Sequence, residues 1–183
     1  LMRRLDALDV DSVSNAFLNV DRVIMVSLDT PGKRFEGHKN MIDGAVKAGV
    51  KHILYTSCPV PVPSLPLYDE HFLSEAYLTL LPQDSTTTGH TILRNALYAE
   101  TLLMSIPAAI AFQGGKWSLA TGNLPRSYIS RLDLALAAAT AATTKYTQDS
   151  DRHLYELTAK EALNGEQVAK ILSEGLSVQV SAN

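Results

Sequence analysis

The sequence contains a single cysteine, Cys58, among its 183 residues. One cysteine excludes an internal disulfide framework and a zinc site built on several thiolates, and it suits a reducing compartment such as the cytoplasm. No run of 18 or more apolar residues occurs, so no membrane-spanning helix is predicted. With 16 Lys and Arg against 19 Asp and Glu, the chain also lacks the basic excess that holds a nucleic-acid backbone. We therefore expect a cytoplasmic protein that binds neither nucleic acid nor membrane.

Several catalytic motifs are missing as well. The sequence has no G-x-S-x-G elbow of a serine hydrolase and no Walker loop for a nucleoside triphosphate. It has no H-x-x-x-H or C-x-x-C pair, and its five histidines are spread singly along the chain. No metal site is predicted.

The hydrophobic pattern that is present alternates between the periods of strands and helices. DRVIMVS (residues 21–27) and KHILYTS (residues 51–57) are apolar runs typical of strands covered on both faces. Between them, residues 36–48 place apolar side chains at helical spacing and end at Gly49. A strand, helix and strand of this kind require a right-handed crossover between parallel strands. The pattern predicts an α/β fold with a Rossmann-like, doubly wound parallel sheet.

The remaining segments continue this alternation. Further helices are predicted at residues 11–19, 69–81, 131–144 and 165–176, the last with Asn164 as its cap, and from Tyr98 to a stop near Pro107. Further strands are predicted at residues 90–95, 152–158 and 177–180.

Hydroxyl side chains stand at the ends of the first two predicted strands. Ser27 ends the first, and Thr56 and Ser57 end the second. In open parallel sheets, ligands bind beyond the carboxyl ends of the strands, because the loops there expose backbone N–H groups and helix N-termini. The same residues also suit ordinary turns. The residues alone leave a cofactor rim and a pair of turns equally open.

Five blocks resemble, in order and spacing, the NmrA-like branch of the atypical short-chain dehydrogenases. They are VDRVIMVS, GHKNMIDGAVKAGVKHILYTS, DEHFLSEAYL, TGHTILRNALYAE and YISRLDLALAAA. The subgroup that they resemble most contains bacterial NADPH-dependent quinone oxidoreductases and triphenylmethane reductases. This resemblance implies an oxidoreductase that transfers a hydride from NAD(P)H to a quinone or a similar flat acceptor, with NADP(H) favoured over NAD(H). The alternatives are a non-catalytic, dinucleotide-binding redox regulator and a degenerate fragment without activity.

The resemblance also implies which residues line the site. The expected cofactor contacts are Ser27, Leu28, Asp29, Thr30, Gly32, His38, Ser57, Arg94, Asn95 and Arg131. The expected substrate contacts are His71, Asn95 and Tyr98. Several of them also have an ordinary structural explanation: Arg94 could pair with a carboxylate, Tyr98 could pack in the core, and Arg131 with Asp133 could form a helix cap with an ion pair. Single histidines are most often structural or exposed.

The sequence departs from the family's pattern in two ways that concern catalysis. The glycine-rich dinucleotide turn is absent, because Gly37, Gly44 and Gly49 have other spacing. No tyrosine has a lysine four residues on, and Ala76 stands where many relatives place a lysine. No catalytic residue is therefore predicted.

The pattern of the family also begins before this sequence and continues after it. We expect residues 1–183 to form a truncated single NAD(P)-binding Rossmann-like domain, incomplete at the N-terminus, in which residues 107–183 contribute part of a smaller substrate-side region. A sheet without its flanking strands has an open apolar edge. A homodimer or a protein partner is expected to cover it.

Overall fold

The computed structural model describes residues 2–30, 32–59, 66–82, 88–104, 116–117, 123–145 and 152–182. The chain forms two compact units, one of residues 1–95 and 136–156 and the other of residues 96–135 and 157–183. Each unit has its own hydrophobic cluster. The boundary that the sequence predicts at residue 107 lies outside the described residues.

Helices and strands alternate along the chain. In order they are α1 (Val10–Ala16), β1 (Arg22–Met25), α2 (Arg34–Lys47), β2 (His52–Ser57), α3 (Pro66–Thr79), β3 (Gly89–Asn95), β4 (Leu97–Tyr98), β5 (Lys116–Trp117), β6 (Arg126–Ile129), α4 (Arg131–Thr143), β7 (Arg152–Leu157), β8 (Ala162–Leu163), α5 (Gly165–Leu176) and β9 (Ser181–Ala182). The helix predicted to start at Tyr98 begins at Glu100, and the described residues are helical as far as residue 104. Its expected end near Pro107 lies outside the described residues.

The larger sheet has the strand order β1-β2-β3-β7. β1 and β3 both run parallel to β2, with Val23 beside Ile53 and Ile53 beside His90. Because parallel neighbours require crossover connections, α2 and α3 join these strands as the periodicity predicted. The Rossmann-like α/β fold is thus confirmed.

Burial differs between the first two strands. β2 is buried along almost its whole length, as predicted. The prediction of burial on both faces is wrong for β1, where Ile24 is 42% exposed and Val26, just beyond the strand, is 67% exposed. β1 is an outer strand of the described sheet. Ile24 and Val26 are two residues apart, so their side chains point to the same face, and that face is only partly covered at β1.

Glycine allows two close approaches to α2. A Cβ on Gly44 would lie 2.5 Å from Cγ1 of Val13 in α1, and a Cβ on Gly37 would lie 2.5 Å from Cδ1 of Leu28. Atoms this close overlap, so any larger residue forces the neighbouring segment away. The two glycines let α1 and the loop after β1 pack directly on the helix backbone.

Three arginine side chains bind the carbonyl groups that end helices. Arg3 donates to Ala16 O and Leu18 O after α1. Arg22 donates to Ala142 O in the last turn of α4 and to Thr144 O just beyond it, at 2.6 Å each. Arg152 donates to Thr79 O at the end of α3 and to the carbonyls of residues 81 and 82 beyond it. The last four carbonyls of a helix have no partner within it and carry a partial negative charge, so a guanidinium is a suitable partner.

The second unit contains a three-stranded sheet of order β4-β6-β8 and the pair β5 and β9. Asn164 forms the predicted cap of α5, as part of a capping box with Gln167. The strand predicted at residues 177–180 is wrong, because Ser177 adopts the left-handed conformation that ends α5 and the strand begins only at Ser181. None of the helices in the described part of the chain has the length and apolar character to span a bilayer.

Candidate cofactor site at the strand ends

The carboxyl ends of β1, β2 and β3 lie side by side in the first unit. The register places Ser57 beside Arg94, and the N–H of Ser27 donates to Oγ1 of Thr56 at 3.0 Å. Thr56 therefore ties the loop after β1 to the end of β2. The sheet brings together Ser27, Ser57, Arg94 and Asn95, the edge where ligands bind in this class of fold.

Two buried oxygens at this edge make no hydrogen bond of ordinary geometry to a described residue, although the weakly bonding Cys58 thiol is beside the first of them. They are Oγ of Ser57 and Oδ1 of Asn95, in side chains that are only 6% and 9% exposed. Most buried polar groups in folded proteins are paired, and leaving one unpaired costs roughly 1–3 kcal/mol. An unpaired oxygen at each of two adjacent strand ends indicates a place for a ligand with hydrogen-bonding groups.

The loop after β1 is held by α2 through Leu28. The N–H of Leu28 donates to Nε2 of His38 at 3.0 Å, and Nε of Arg34 donates to the carbonyl of Leu28 at 2.6 Å. Gly37 leaves room for the Leu28 side chain. His38 and Arg34 are four residues apart on one helix face, so a single turn of α2 holds both backbone polar groups of Leu28.

The hydrogen bonds of His38 define its protonation state. Ser74 Oγ donates to the carbonyl of Glu70 at 2.6 Å, so it accepts from Nδ1 of His38, 2.8 Å away. Nε2 is then unprotonated and accepts from Leu28. His38 is fully buried, and burial, together with the charges of His71 and Arg34, lowers its pKa to about 4. The ring is neutral at pH 7, in agreement with its partners.

Tyr55 connects this network to His71. The Tyr55 hydroxyl lies 2.7 Å from Nδ1 of His71. Burial raises the pKa of Tyr55, so the phenol stays protonated. The catalytic tyrosine of typical short-chain dehydrogenases needs the opposite shift. Burial also lowers the pKa of His71, which is half-buried and neutral at pH 7.

A carboxylate occupies the N-terminus of α2. Glu70 in α3 accepts from the N–H groups of Gly32 and Phe35, at 3.2 and 3.1 Å. Burial works to raise the pKa of Glu70, but these N–H groups and the Arg34 cation outweigh it and hold the pKa below its usual value. The N–H of Gly32, a predicted cofactor contact, thus already donates to Glu70, and a carboxylate stands where a phosphate group would otherwise bind.

Arg94 lies at the end of β3 in a network of ion pairs. Its Nη2 is 2.7 Å from the buried carboxylate of Glu75, and its Nη1 is 2.8 Å from Glu156. These carboxylates raise the pKa of Arg94. The structural explanation left open by the sequence is therefore present, and a cofactor contact of Arg94 stays a prediction. Nearby, burial and then the Glu75 carboxylate raise the pKa of Cys58 to about 11, so its thiol is protonated at neutral pH.

The remaining predicted contacts are more exposed. Asp29 and Thr30 are exposed in the loop after β1. Tyr98 and Arg131 belong to the second unit, where Tyr98 is 39% exposed. The N–H of Arg131 donates to Glu100 at 3.0 Å, and its side chain pairs with the same carboxylate at 3.7 Å. Their contacts with cofactor or substrate stay predictions.

Sequence reasoning missed four members of this network. They are Arg34, Tyr55, Glu70 and Ser74. Alternation along β2 could have indicated Tyr55, which shares a face with Ser57. No pattern marks the others, because their partners lie in separate elements. No group of three or more His, Cys, Asp or Glu that could hold a metal ion occurs among the described residues.

Comparison with known proteins identifies the family within this class of fold. The model of the NmrA-like family matches residues 3–183. The chain belongs to the NmrA-like family, which confirms the resemblance seen in the sequence. Over 181 residues it is 32% identical to quinone oxidoreductase 2 of Escherichia coli (strain K12), a match that covers 98% of this chain and 60% of that protein.

Solved structures show the same similarity. The NADPH-dependent quinone oxidoreductase of Escherichia coli, complexed with NADPH, gives a TM-score of 0.84 at 31% identity, over 99% of this chain and 61% of that one. The Citrobacter sp. triphenylmethane reductase, complexed with NADP(H), gives 0.82 at 27% identity, over 99% and 61%. The chain thus spans about 60% of the length of these relatives.

Proposed function

We propose that this chain forms the nicotinamide-side part of an NAD(P)H-dependent oxidoreductase that transfers a hydride to a quinone or a similar flat acceptor. NADP(H) is the proposed cofactor in preference to NAD(H), because the similar reductases of Escherichia coli and Citrobacter sp. were solved with NADPH and NADP(H). The family and the parallel sheet support the class of activity.

The observation that carries the proposal is the pair of unpaired oxygens on Ser57 and Asn95. A nicotinamide carboxamide has both N–H donors and a carbonyl acceptor, so it can complete hydrogen bonds to an amide oxygen and a hydroxyl. Ser57 is also small, which leaves space for a flat ring at the end of β2. In these respects the residues present fit the cofactor.

The cofactor supplies the hydride when it is bound, and the protein supplies position and hydrogen bonds. His71 is the proposed partner for an acceptor oxygen. With the Tyr55 hydroxyl donating to Nδ1, the ring proton of His71 lies on Nε2 and can be donated to that oxygen. Tyr55, with its raised pKa, holds the ring in place as a neutral phenol.

The test begins with calorimetric titration of NADPH, and NADH in parallel, into the 183-residue chain. Binding in the micromolar range, followed by oxidation of NADPH on addition of quinones, is the expected result. A folded chain that binds neither nucleotide would refute the proposal. Binding without quinone reduction would instead support a dinucleotide-binding regulator.

Two conservative variants separate the site from the fold. Ser57→Ala removes a hydroxyl that makes at most a weak contact with the Cys58 thiol, so it should leave Tm nearly unchanged while weakening NADPH binding by about fivefold. Thr91→Val is the matched control, because it removes a buried hydroxyl that bonds His52 at 2.9 Å. It should lower Tm and leave NADPH affinity unchanged.

A further inference from the structure

His38 has no exposed surface, yet it contacts the loop after β1, whose residues the family resemblance implies as cofactor contacts. Its nearest contact with that loop is Leu28, whose N–H donates to Nε2 at 3.0 Å, and the Ser27 hydroxyl lies 3.4 Å from the same nitrogen. The second ring nitrogen is engaged in the interior by Ser74. The residue therefore joins the loop after β1 to α3 across the body of α2.

The neighbouring groups fix the loop in one conformation. Arg34 holds the Leu28 carbonyl, and its guanidinium lies 3.7 Å from the Glu70 carboxylate. The Ser27 N–H is held from the other side by Thr56. With its peptide groups bound on both sides, the loop loses its freedom on folding and pays less entropy when a ligand binds.

We propose that His38 is a positioning residue, which acts through the Leu28 amide to hold residues 27–30 in the conformation that binds the dinucleotide, and that Ser74 maintains the tautomer this requires. The proposal rests on the function proposed above. It assigns His38 an indirect role in place of the direct cofactor contact that the resemblance implied.

The tautomer is the sensitive part of this arrangement. Leu28 presents an N–H, so Nε2 must be unprotonated. Without the Ser74 hydroxyl, Nδ1 loses its nearer acceptor and keeps only the Tyr55 hydroxyl, 3.4 Å away, so the tautomer with its proton on Nε2 becomes more accessible. Two N–H groups would then oppose each other, and the loop would lose its attachment. Ser74→Ala should weaken dinucleotide binding although Ser74 is itself fully buried.

Two substitutions of His38 distinguish positioning from packing. In His38→Gln, the amide oxygen of the new side chain reaches as far as Nε2 does, whereas the shorter side chain of His38→Asn reaches only as far as Nδ1. His38→Gln should therefore retain the bond to Leu28, and His38→Asn should retain only the bond to Ser74. Both variants replace the ring by a smaller polar group, so their losses of thermal stability should be similar.

The experiment measures NADPH affinity, hydrogen exchange of the Leu28 amide and the NMR signals of the His38 ring in the 183-residue chain. The wild type should show a proton on Nδ1, none on Nε2, and slow exchange at Leu28. His38→Asn and Ser74→Ala should bind NADPH about tenfold more weakly and exchange Leu28 about tenfold faster, the equivalent of one net hydrogen bond. His38→Gln should stay within about threefold of the wild type in both measurements.

Equal NADPH affinities in the wild type, His38→Asn and His38→Gln would overturn the positioning role while leaving the proposed function intact. A wild-type ring protonated on Nε2 would overturn the role independently of any ligand. A folded wild type that does not bind NADPH would refute the proposed function and, with it, the link from the loop to the dinucleotide.

Discussion

Acidification should unfold this protein through two buried histidines, His38 and His90. Their side chains are 0% and 2% exposed, and the pKa of each is lowered from 6.5 to about 4. For both, burial is the largest cause. The pKa of His90 is also lowered by the guanidinium of Arg152 and by the neighbouring His52 and His153.

The direction in which stability changes with pH follows from the number of protons bound in the folded and unfolded states. Between pH 6.5 and pH 4 the unfolded chain binds these protons and the folded chain does not, so stability falls as the pH falls. Above pH 6.5 both states are neutral at these sites, and the two histidines contribute no pH dependence. Each histidine should remove about 2 kcal/mol at about pH 5 and about 3 kcal/mol at about pH 4. The combined loss is comparable to the whole stability of a typical domain, about 5–15 kcal/mol.

The assay is urea unfolding followed by circular dichroism at pH 7.5, 6.5, 5.5 and 5. His90→Leu is the informative variant, because it replaces the buried titrating ring, whose Nδ1 makes no hydrogen bond to a described residue, by an apolar side chain. It should remove the part of the loss that His90 contributes between pH 6.5 and pH 5, about 2 kcal/mol. Constant stability over this range, or an unchanged slope in His90→Leu, would refute the reasoning. The lowered pKa of Glu70 adds its own loss only below its usual value of 4.5.

Two further predictions concern packing and charge. Gly44→Ala should destabilise the fold by about 1–3 kcal/mol, because its Cβ would lie 2.5 Å from a carbon of α1, whereas Gly175→Ala, with no atom within 4 Å, should stabilise α5 by up to about 1 kcal/mol. Equal values in thermal unfolding would contradict the close approach. Glu75→Gln should cost about 3 kcal/mol, since it leaves the Arg94 cation without its buried partner, and Glu156→Gln, at the exposed end, less than about 1 kcal/mol. Urea unfolding at pH 7 measures both, and the reverse order would show that Glu156 is the main partner.

The longer elements of both units could be predicted because their hydrophobic patterns are periodic. β2 has a continuous apolar run, α2 has apolar residues at helical spacing, and Asn164 stands directly before an amphipathic helix. The strands β4, β5 and β8 contain two residues each and have no measurable period. Their pairing depends on partners far away in the chain, which a local pattern does not contain.

Some features of the candidate site could likewise be predicted from the sequence, and others could not. The hydroxyl residues at strand ends are visible in the sequence, because the end of a buried run is a local feature. The orientation of His38 is not, since it depends on Leu28 in a loop and on Ser74 in another helix, 36 residues away. The exposure of Ile24 likewise depends on what covers the sheet and not on the apolar run that contains it.

The arginines that bind the carbonyl groups at helix ends affect the order in which the chain folds. Arg22 and the Ala142 carbonyl are 120 residues apart in the chain, and Arg152 and the Thr79 carbonyl are 73 apart. Closing loops of this length costs entropy before any contact is gained, so neither bond forms early. The last turns of α3 and α4 therefore lack these partners until distant parts of the chain meet. They should be the final turns to become protected during refolding, while the Asn164 cap, which needs only its immediate neighbours, forms with its own helix.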